Sequence, residues 1–557
     1  MAEQTPIQKD MQRKQGLWSE RSSWLTHWRE LSEYQQPRAG RFLITDRNRG
    51  EKRHNLIYDS TATQSLRILA AGLMSGVTSP ARPWFRLALS DKALMEQGDV
   101  KIWLNKVTEL MRSVFSASNT YRSLHTVYED LGLFGTAVTV MLPDFENVLH
   151  HYPLPVGSFA LATNHKGQVD TLVRDFEMTV VQAVRQFGKE NVSPATRAMY
   201  DSGSYDKWVE VVHIIEPNAD RDQGKLDGKN MRFSSKYFEP SQVGDGKYLS
   251  ESGFKRFPAL CPRWNVSGND AYGSSPGMDA LGDVKQLQFQ QLRKAQGIDY
   301  QTNPPIVVPT AYKDAARGRL PGGVMYVDNS GPAQTVRSAF EVNLNLQHLL
   351  MDIQDVRERI KTTYYADLFL MLANDTRSGI TATEVAERHE EKLLMLGPVL
   401  ERLHNELLQP LIDNTFDYLV RANVLPPAPA AMQGMELDVE FISVLAQAQR
   451  AVAAQGVDRL LGTVGQIAQL KPEILDKINF DQVVDDYGDM FGVNPEIIVP
   501  DDQVAMAREQ RAKQQQAMQM AAQAPQMVAS AKTASEINPQ GLTDVMSALQ
   551  GYSTPAA

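Results

Sequence analysis

The chain has 557 residues, of which 42% are hydrophobic and 22% charged, and this balance excludes a wholly disordered protein because most of the chain can bury a core. The formal net charge of −9 excludes a protein that wraps nucleic acid on a broad basic face, so any contact with DNA must be local or weak. The single cysteine, Cys261, excludes an intramolecular disulfide framework and a cysteine-rich zinc site, and it is compatible with a reducing cytoplasm.

The sequence indicates neither a targeting signal nor a membrane span. The first residues contain no apolar stretch of signal-peptide length. The longest apolar candidate, Ile68 to Met74, is far shorter than the roughly 20 residues that a spanning helix needs. We therefore expect a soluble protein that stays inside the cell that makes it or is released by lysis, with no membrane partner.

An amphipathic helix is predicted over the first 35 residues, with Trp24 and Trp28 on its apolar face and Pro37 at its end. An interfacial membrane helix would need a more basic polar face, which glutamates dilute here. Packing on its own domain, or on a neighbouring subunit, is therefore the better interpretation.

A second helix is predicted over residues 60–79, where the spacing of Gly72 and Gly76 permits close helix contact. Further helices are predicted over 99–117 and 119–134, followed by a strand over 136–142. From about 150 to 265 short β-rich runs alternate with turns, which indicates an α+β region. The runs cover 158–163, 168–179 and 207–215, with a hairpin near 230–250.

Two long helices then flank a short β-rich segment. Ser275 and Pro276 are good helix-initiating residues, and the first helix is predicted to reach about Tyr300. Residues 301–338 are predicted to form an irregular β module, and the second helix carries apolar residues from Leu346 to Tyr364. A compact β module between two long helices is unusual in a single-domain enzyme.

The remaining chain is mostly helical in prediction. A polar loop over 373–380 precedes the capping box Thr381-Ala-Thr-Glu384, which starts a long helix with a kink at Pro398. Residues 438–492 are predicted to be helical, and from about 501 the chain is rich in Gln, Ala and Met. That tail is expected to be either a helix that needs partners or disordered.

The search for catalytic motifs finds no phosphate-binding loop, zinc-protease motif, nucleophile elbow or EF-hand loop. His150 and His151 are adjacent, and neighbours in a strand point to opposite faces, so they converge poorly on one metal. Cys261 lies in an apolar run and is expected to be a buried, inert thiol. We predict no catalytic, cofactor-binding or metal-binding residue, and no cofactor.

Basic and polar residues suggest contacts with phosphate or with an acidic partner. Three groups stand out, and two of them have a plain alternative: a solvated flank for the helices and an ordinary connection for the loop. The groups are Lys285, Arg293, Lys294, Arg357, Arg359 and Lys361 on the two long helices; Asn374, Thr376, Arg377 and Ser378 in the polar loop; and Lys313, Arg317 and Arg319 at the tip of the β module.

Several short segments are individually weak but occur in a specific order and spacing. They are Asp59-Ser-Thr61, Leu69-Ala-Ala-Gly-Leu-Met-Ser-Gly76, Pro83-Trp-Phe-Arg-Leu87, Phe134-Gly-Thr-Ala137, Leu154-Pro-Val-Gly157, Cys261-Pro-Arg-Trp264, Tyr272-Gly-Ser-Ser-Pro-Gly277 and Ile380-Thr-Ala-Thr-Glu-Val-Ala-Glu-Arg388. In these segments, and in its helix–β module–helix insertion, the chain resembles the portal, or head-to-tail connector, proteins of short-tailed bacteriophages (podoviruses).

The resemblance implies a mostly helical α+β portal fold with a wing, stem helices, a β-rich clip and a helical crown. The implied divisions are wing 1–273, first stem helix 274–300, clip 301–338, second stem helix 339–366, tunnel loop 367–382, a wing segment with the kinked long helix 383–435, crown 436–500, and a tail 501–557 that is a barrel helix or disordered. The stem and tunnel-loop residues named above would then face DNA, and the clip residues would meet partners.

The resemblance also implies a ring, typically of twelve subunits, at one capsid vertex of the virion, assembled in the host cytoplasm. Double-stranded DNA would pass its channel without sequence-specific recognition during packaging and ejection. Implied protein partners are the terminase large subunit, tail or adaptor proteins, and the major capsid and scaffolding proteins. The alternatives are another virion ring, a scaffold or a DNA clamp, or an enzyme with an unrecognised motif.

Overall fold

A computed structural model describes residues 5–45, 50, 56–89, 91–95, 97–225, 227–242, 247–309, 324–327, 337–338, 346–374, 396–432, 437–441, 444–468, 471–491, 497–499 and 503–518. The chain divides into two compact units. The first comprises Met1–Leu87, Lys106–Pro427 and Val439–Gln449, and the second comprises Ala88–Asn105, Ala428–Asp438 and Arg450–Ala557.

The helices account for much of the described chain. In order they are α1 (Pro6–Gln35), α2 (Thr61–Val77), α3 (Lys92–Met95), α4 (Gly98–Ala117), α5 (Thr120–Phe134), α6 (Val180–Phe187), α7 (Pro194–Asp201), α8 (Pro276–Thr302), α9 (Leu346–Thr363), α10 (Ala366–Asn374), α11 (Gly397–Leu403), α12 (Gln409–Arg421), α13 (Val444–Ala468), α14 (Phe480–Phe491) and α15 (503–518). A π-helical segment, His404–Leu408, joins α11 to α12.

The strands form several separate sheets. They are β1 (Phe85–Leu89), β2 (Val138–Asp144), β3 (Val148–Leu154), β4 (Phe159–Thr163), β5 (Val169–Thr179), β6 (Trp208–Pro217), β7 (Phe233–Phe238), β8 (Ser250–Phe254), β9 (Ala259–Leu260), β10 (Ile306–Pro309), β11 (Val324–Val327), β12 (Arg337–Ser338) and β13 (Leu437–Phe441). Their orders are β1-β13, β3-β2-β9, β4-β5-β6-β7-β8 and β11-β10-β12. The predicted mixed α+β class is confirmed.

The five-stranded sheet is antiparallel throughout and matches the β-rich runs predicted between 150 and 265. Helix α1 packs on it through a buried cluster that includes Ile7, Leu17 and Ile214. A second cluster, which includes Val180 and Phe187, joins α6 to the same sheet. The sheet therefore forms the β-rich core of the first unit.

Helix α1 begins where its sequence predicts and is buried within its own chain. Thr5 and Gln8 form a capping box, since the Gln8 amide donates to Thr5 Oγ1 and the Thr5 amide donates to Gln8 Oε1 at 2.9 Å. Along the helix Lys14 lies 3.0 Å from Asp175, in β5. Trp28 is fully buried and donates through Nε1 to the Phe134 carbonyl at 3.0 Å. Of the two interpretations left open by the sequence, packing on its own domain or on a neighbouring subunit, the first is observed.

Close packing also holds α2. A methyl group added at Gly72 would overlap the ring of Phe369 in α10, whereas no atom of the described residues lies within 4 Å of one added at Gly76. On another side of α2, Gly132 of α5 contacts Leu66 and Leu69. The predicted close contact therefore exists at Gly72, and α2 lies between α5 and α10.

Two local predictions are wrong. Residues 438–441, predicted as helix, belong to strand β13, because Leu-Asp-Val-Glu-Phe alternates apolar and acidic residues with a period of two. Residues 367–374, assigned to the tunnel loop, belong to helix α10. Pro398 lies in the first turn of α11, where its missing N–H removes no helical hydrogen bond, and the predicted helix that would precede it lies outside the described residues.

In the second unit, α13 and α14 are linked by a hydrogen bond from the Tyr487 hydroxyl to Asp458 at 2.5 Å. Arg508 in α15 donates two hydrogen bonds to the Asp481 carboxylate of α14, at 2.6 and 2.7 Å. The described residues 444–468 and 480–491 are thus helical, as predicted for this part of the chain. Residues 503–518 form a helix early in the tail, one of the two alternatives expected there.

Candidate functional site

The two long helices α8 and α9 form an antiparallel pair. Gln290 of α8 contacts Asp352 of α9. Asp283, seven residues before Gln290 on α8, lies 3.1 Å from Arg359, which is seven residues after Asp352 on α9. Contacts that advance on one helix as they retreat on the other define opposite directions. The Ser275 side chain caps α8 by accepting from the Met278 amide at 3.1 Å, as its sequence predicts.

Arg357 is held by a buried carboxylate. Its Nε and Nη2 atoms donate to Asp59 Oδ2 at 3.1 and 2.7 Å, and Gln291 donates to the same oxygen at 2.8 Å. The other oxygen of Asp59 accepts from the amide and hydroxyl of Thr61. Burial alone would raise the pKa of Asp59, but the hydrogen bonds from Thr61 and Arg357 outweigh it and leave this pKa below its ordinary value.

Gln288 fixes the chain that leads into this carboxylate. Its Oε1 accepts from the amides of Tyr58 and Asp59 at 2.6 and 2.8 Å, and its Nε2 donates to the Asp59 carbonyl at 2.9 Å. The start of α2 is therefore tied to both long helices. Neither Gln288 nor the role of Asp59 is predicted from the sequence; the available signal is an aspartate two residues before a helix-starting threonine, a common capping arrangement.

Most of the other predicted stem cations are also in ion pairs. Lys285 pairs with Glu30 and lies over the Tyr34 ring. Arg359 pairs with Asp355 as well as with Asp283, at 3.1 Å in each case. These charges are compensated within the chain.

The remaining stem cations differ in their environments. Lys361 lies 3.1 Å from Glu358, one turn earlier on α9. Arg293 lies over the Phe289 ring at 4.9 Å and donates to Gln296. Lys294 makes no ion pair within the part of the chain that the structure describes. Arg293 and Lys294 are thus the predicted stem residues whose charge no carboxylate compensates among these contacts.

The segment between the long helices contains the predicted strands. Ile306–Pro309 pairs in parallel with Val324–Val327 and antiparallel with Arg337–Ser338. The predicted partner-binding residues Lys313, Arg317 and Arg319 lie outside the described residues. Of the polar-loop residues, Asn374 is the last residue of α10, and Thr376, Arg377 and Ser378 lie outside the described residues, as does the predicted capping box.

The cysteine and the histidine that could take part in nucleophilic or metal chemistry, Cys261 and His151, are both buried. Cys261 is buried, and this burial raises the pKa of its thiol, as the sequence predicts for an inert cysteine. His151 is 1% exposed, and burial, followed by the neighbouring His150, lowers its pKa to about 3. No group of three or more potential metal ligands occurs among the described residues.

Within the described ranges, no helix combines the length and the apolar character needed to cross a bilayer.

The fold is a mixed α+β protein in which an antiparallel pair of long helices flanks a small sheet. The chain belongs to the bacteriophage head to tail connecting protein family, whose model matches residues 8–499. It is 55% identical to the probable portal protein of Bordetella phage BPP-1 over 99% of this chain and 100% of that protein. It is 48% identical to the portal protein of Salmonella phage epsilon15 over 96% of each chain.

Among solved structures, one similar chain comes from the neck of an empty GTA particle computed with C6 symmetry. The sequence identity is 12%, the TM-score is 0.36, and the match covers 77% of this chain and 92% of that chain.

Proposed function

We propose that the chain is the subunit of a portal ring at one vertex of a bacteriophage capsid, the channel through which DNA is packaged and ejected. The observation that carries this proposal is membership of the head to tail connecting family across residues 8–499. Two relatives named as portal proteins, similar over nearly the full chain, support it. The role is structural, joining capsid and tail, and is not that of an enzyme.

In this proposal α8 and α9 are the stem helices that line the channel. Their antiparallel pairing, with strands β10–β12 between them in the chain, supports assigning residues 301–338 to the clip. Residues 1–273 and 383–435 form the wing, and residues 436–500 form the crown. The second stem helix, assigned to 339–366, contains α9.

The stem is proposed to guide DNA without gripping it. Phosphate contacts release counterions and hold DNA, so a conduit through which DNA must slide needs few of them. The ion pairs of Lys285, Arg357, Arg359 and Lys361 leave little free positive charge on these helices. Arg293 and Lys294 are then the stem residues best suited to touch phosphate, and the contact is non-sequence-specific.

The tunnel loop is proposed to follow α10 and to narrow the channel. Asn374, at the end of α10, and then Thr376 and Ser378 in the loop would supply small hydrogen-bonding groups, and Arg377 would place one positive charge per subunit near the DNA axis. The firm packing of α10 on α2 at Gly72 supports this, because it gives the loop a fixed base.

The clip is proposed to bind partners in succession. Lys313, Arg317 and Arg319 would present a basic tip to the terminase large subunit during packaging and then to tail or adaptor proteins. The wing and crown would meet the major capsid and scaffolding proteins. The assembled ring would be a virion component put together in the host cytoplasm.

The experiment that tests this function compares DNA packaging by capsids assembled with the chain, without it, and with a clip-deleted chain in which a short linker joins 300 to 339. We expect packaging with the full chain alone. The deletion should spare the wing, measured by the melting of the first unit, because the clip lies between two helices that pair with each other. Normal packaging without the chain would contradict the portal assignment, and normal packaging by the deletion would contradict only the clip assignment.

A further inference from the structure

An exposed aromatic side chain lies on the outer face of α8. The buried residues of this helix between Ala280 and Gln288 recur one helical turn apart, as on a helix that buries a single stripe. Phe289 lies outside that stripe and is 57% exposed, although the preceding Gln288 is only 3% exposed. Its phenyl ring therefore contributes little to the core of the first unit, and its place on this face needs another explanation.

The phenyl ring of Phe289 supports the guanidinium of Arg293. The two residues are four positions apart, so their side chains lie next to each other on the helix surface. The Arg293 Cζ atom is 4.9 Å from the ring centroid, within the range of a cation–π contact. In addition, Arg293 Nη1 donates a hydrogen bond to Gln296 Oε1 at 2.9 Å. The guanidinium is thus held by two side chains of its own helix.

This support differs from the ion pairs of the other predicted stem cations. Carboxylates pair with Lys285, Arg357, Arg359 and Lys361. Within the ranges that the structure describes, no carboxylate pairs with Arg293. A phenyl ring and a neutral amide restrain the position of a guanidinium without cancelling its charge. Arg293 therefore keeps a full positive charge on a side chain whose motion is restricted.

The two contacts leave most of the hydrogen-bond donors of the guanidinium open. A guanidinium carries five N–H groups, and Gln296 accepts from one of them. The remaining N–H groups can bind a phosphate that reaches the surface of α8. A phosphate farther from the helix can be reached only if Arg293 leaves the phenyl ring. A cation–π contact at an exposed site makes that extended state about two- to fivefold rarer.

We propose that Phe289 is a positioning residue that holds Arg293 back on α8, so that each subunit meets DNA with a restrained cation instead of a freely extending one. A restrained cation forms fewer and weaker phosphate contacts, and such contacts are what hold DNA in place. The inference rests on the proposed function, in which α8 lines the channel. It adds to that function the residue that limits how firmly the uncompensated charge of α8 binds phosphate.

The contact between Phe289 and Arg293 can be tested in the purified chain without DNA. Phenylglyoxal modifies guanidinium groups, and mass spectrometry of the digested chain gives the rate at Arg293. Phe289→Leu keeps an apolar side chain and removes the π-system, so the reaction at Arg293 should become about two- to fivefold faster. Phe289→Tyr, which retains an aromatic face, should react at nearly the rate of the original chain. Equal rates in Phe289→Leu and the original chain would refute the restraint.

The consequence for DNA is tested with purified portal rings and a short linear duplex of random sequence. Phe289→Leu should bind this duplex more tightly, by about two- to fivefold for each subunit in contact, and its dissociation constant should rise more steeply with salt. Arg293→Gln should weaken binding. Phe289→Leu in the Arg293→Gln background should then change nothing, because the phenyl ring acts only through the guanidinium. A gain in affinity of the same size in both backgrounds would contradict the proposal.

Phe42 and Arg29 provide a matched control outside α8. The Arg29 guanidinium lies 5.8 Å from the centroid of the Phe42 ring. Phe42→Leu should speed the reaction of Arg29 with phenylglyoxal in the same way. It should leave the affinity for the duplex unchanged, because Arg29 belongs to α1 and is not assigned to the channel. Tighter binding of the duplex by Phe42→Leu would show that any released arginine has this effect, and it would contradict a particular role for Phe289.

Native mass spectrometry of each variant separates the remaining explanations. Phe289→Leu and Phe289→Tyr should both form rings with the same number of subunits as the original chain. Loss of rings in Phe289→Leu would show that the exposed phenyl ring serves a contact between copies, and it would overturn the proposal. Absence of rings from the original chain would refute the proposed function, and with it the role of Phe289 at the channel, whatever the phenylglyoxal rates at Arg293.

Discussion

Arg357 shows that a basic residue on one of the two long helices is not necessarily a free charge. Asp59 binds its guanidinium through two hydrogen bonds, and the carboxylate is itself 5% exposed. Such a pair is needed by the fold, because removing one partner leaves the other uncompensated. Arg357 therefore serves the attachment of α2 to α9 and has little charge to offer phosphate.

Arg377 is the residue for which we expect an effect on DNA without an effect on stability. Replacing it with Ala should leave ring assembly and the melting temperature nearly unchanged, because an exposed loop residue typically contributes within about 0.5 kcal/mol. Replacing it with Glu should place negative charge against phosphate and impair packaging or retention of DNA. Thermal stability and packaged DNA length, measured for both variants, separate the two effects.

The control is Arg421→Glu, the same charge change at an exposed residue of α12. It should leave packaged length unchanged. Normal packaging by Arg377→Glu, or loss of ring assembly by Arg377→Ala, would contradict the tunnel-loop proposal while leaving the portal assignment standing.

His151 should make the fold sensitive to acid. Its ring nitrogens lack hydrogen-bond partners among the described residues, and its folded-state pKa of about 3 lies below the unfolded value of 6.5. Between those two pH values His151 binds a proton in the unfolded chain but not in the folded chain. The free energy of unfolding therefore falls as pH falls, by about 1.4 kcal/mol per pH unit for this group. Between pH 7.5 and 5.0, the free energy of unfolding measured in urea should therefore fall by about 2 kcal/mol less for His151→Leu than for the unmodified chain.

The matched control is the same substitution at His150, which is only half-buried. It should leave most of the contribution of His151 to acid sensitivity in place, because burial is the larger cause of the lowered pKa and His150 only the smaller one. An equal loss of stability on acidification in the unmodified chain and in His151→Leu would contradict the proposed cause.

At the scale of elements, local signals predicted most of the architecture. Helix α8 was predicted over 274–300 and spans Pro276–Thr302, because Ser275 and Pro276 mark its start through chemistry that lies within one turn. Strand β5, predicted over 168–179, spans Val169–Thr179. Caps and periodicity act over neighbouring residues, so a sequence displays them directly.

What the sequence did not predict depends on distant partners. Asp59 and Arg357 are 298 positions apart, and nothing in either neighbourhood identifies the other. The pairing of Lys285 with Glu30 is equally non-local, with 255 positions between them. Strand β13 was missed because five alternating residues give a weak signal beside long helical stretches.

The interlock of α2 and α10 is the element-scale contact most open to test. Gly72→Ala should destabilise the first unit by about 1–3 kcal/mol, because the added methyl overlaps the Phe369 ring and the helices must move apart. Gly76→Ala, one turn later in open space, should be neutral or stabilising by up to about 1 kcal/mol. Thermal melting of the two variants checks this, and equal stability would contradict the interlock.

At the scale of the whole molecule, net charge and function are compatible. A ring of twelve copies, each with a net charge of −9, would carry a formal charge of −108 and would repel DNA on average. A few cations near the axis, such as Arg293, Lys294 and Arg377, would then guide the duplex while the ring as a whole does not hold it. The compensated charges of the stem fit this division.

Native mass spectrometry of the purified chain, with electron-microscopy class averages viewed down the ring axis, tests the ring most directly. Twelve subunits of 62.2 kDa predict a particle of about 746 kDa with a central channel and rotational symmetry. A closed ring with an open axial channel is the predicted result. A monomer, dimer or tetramer without a channel, at concentrations where portal rings should be assembled, would contradict the account.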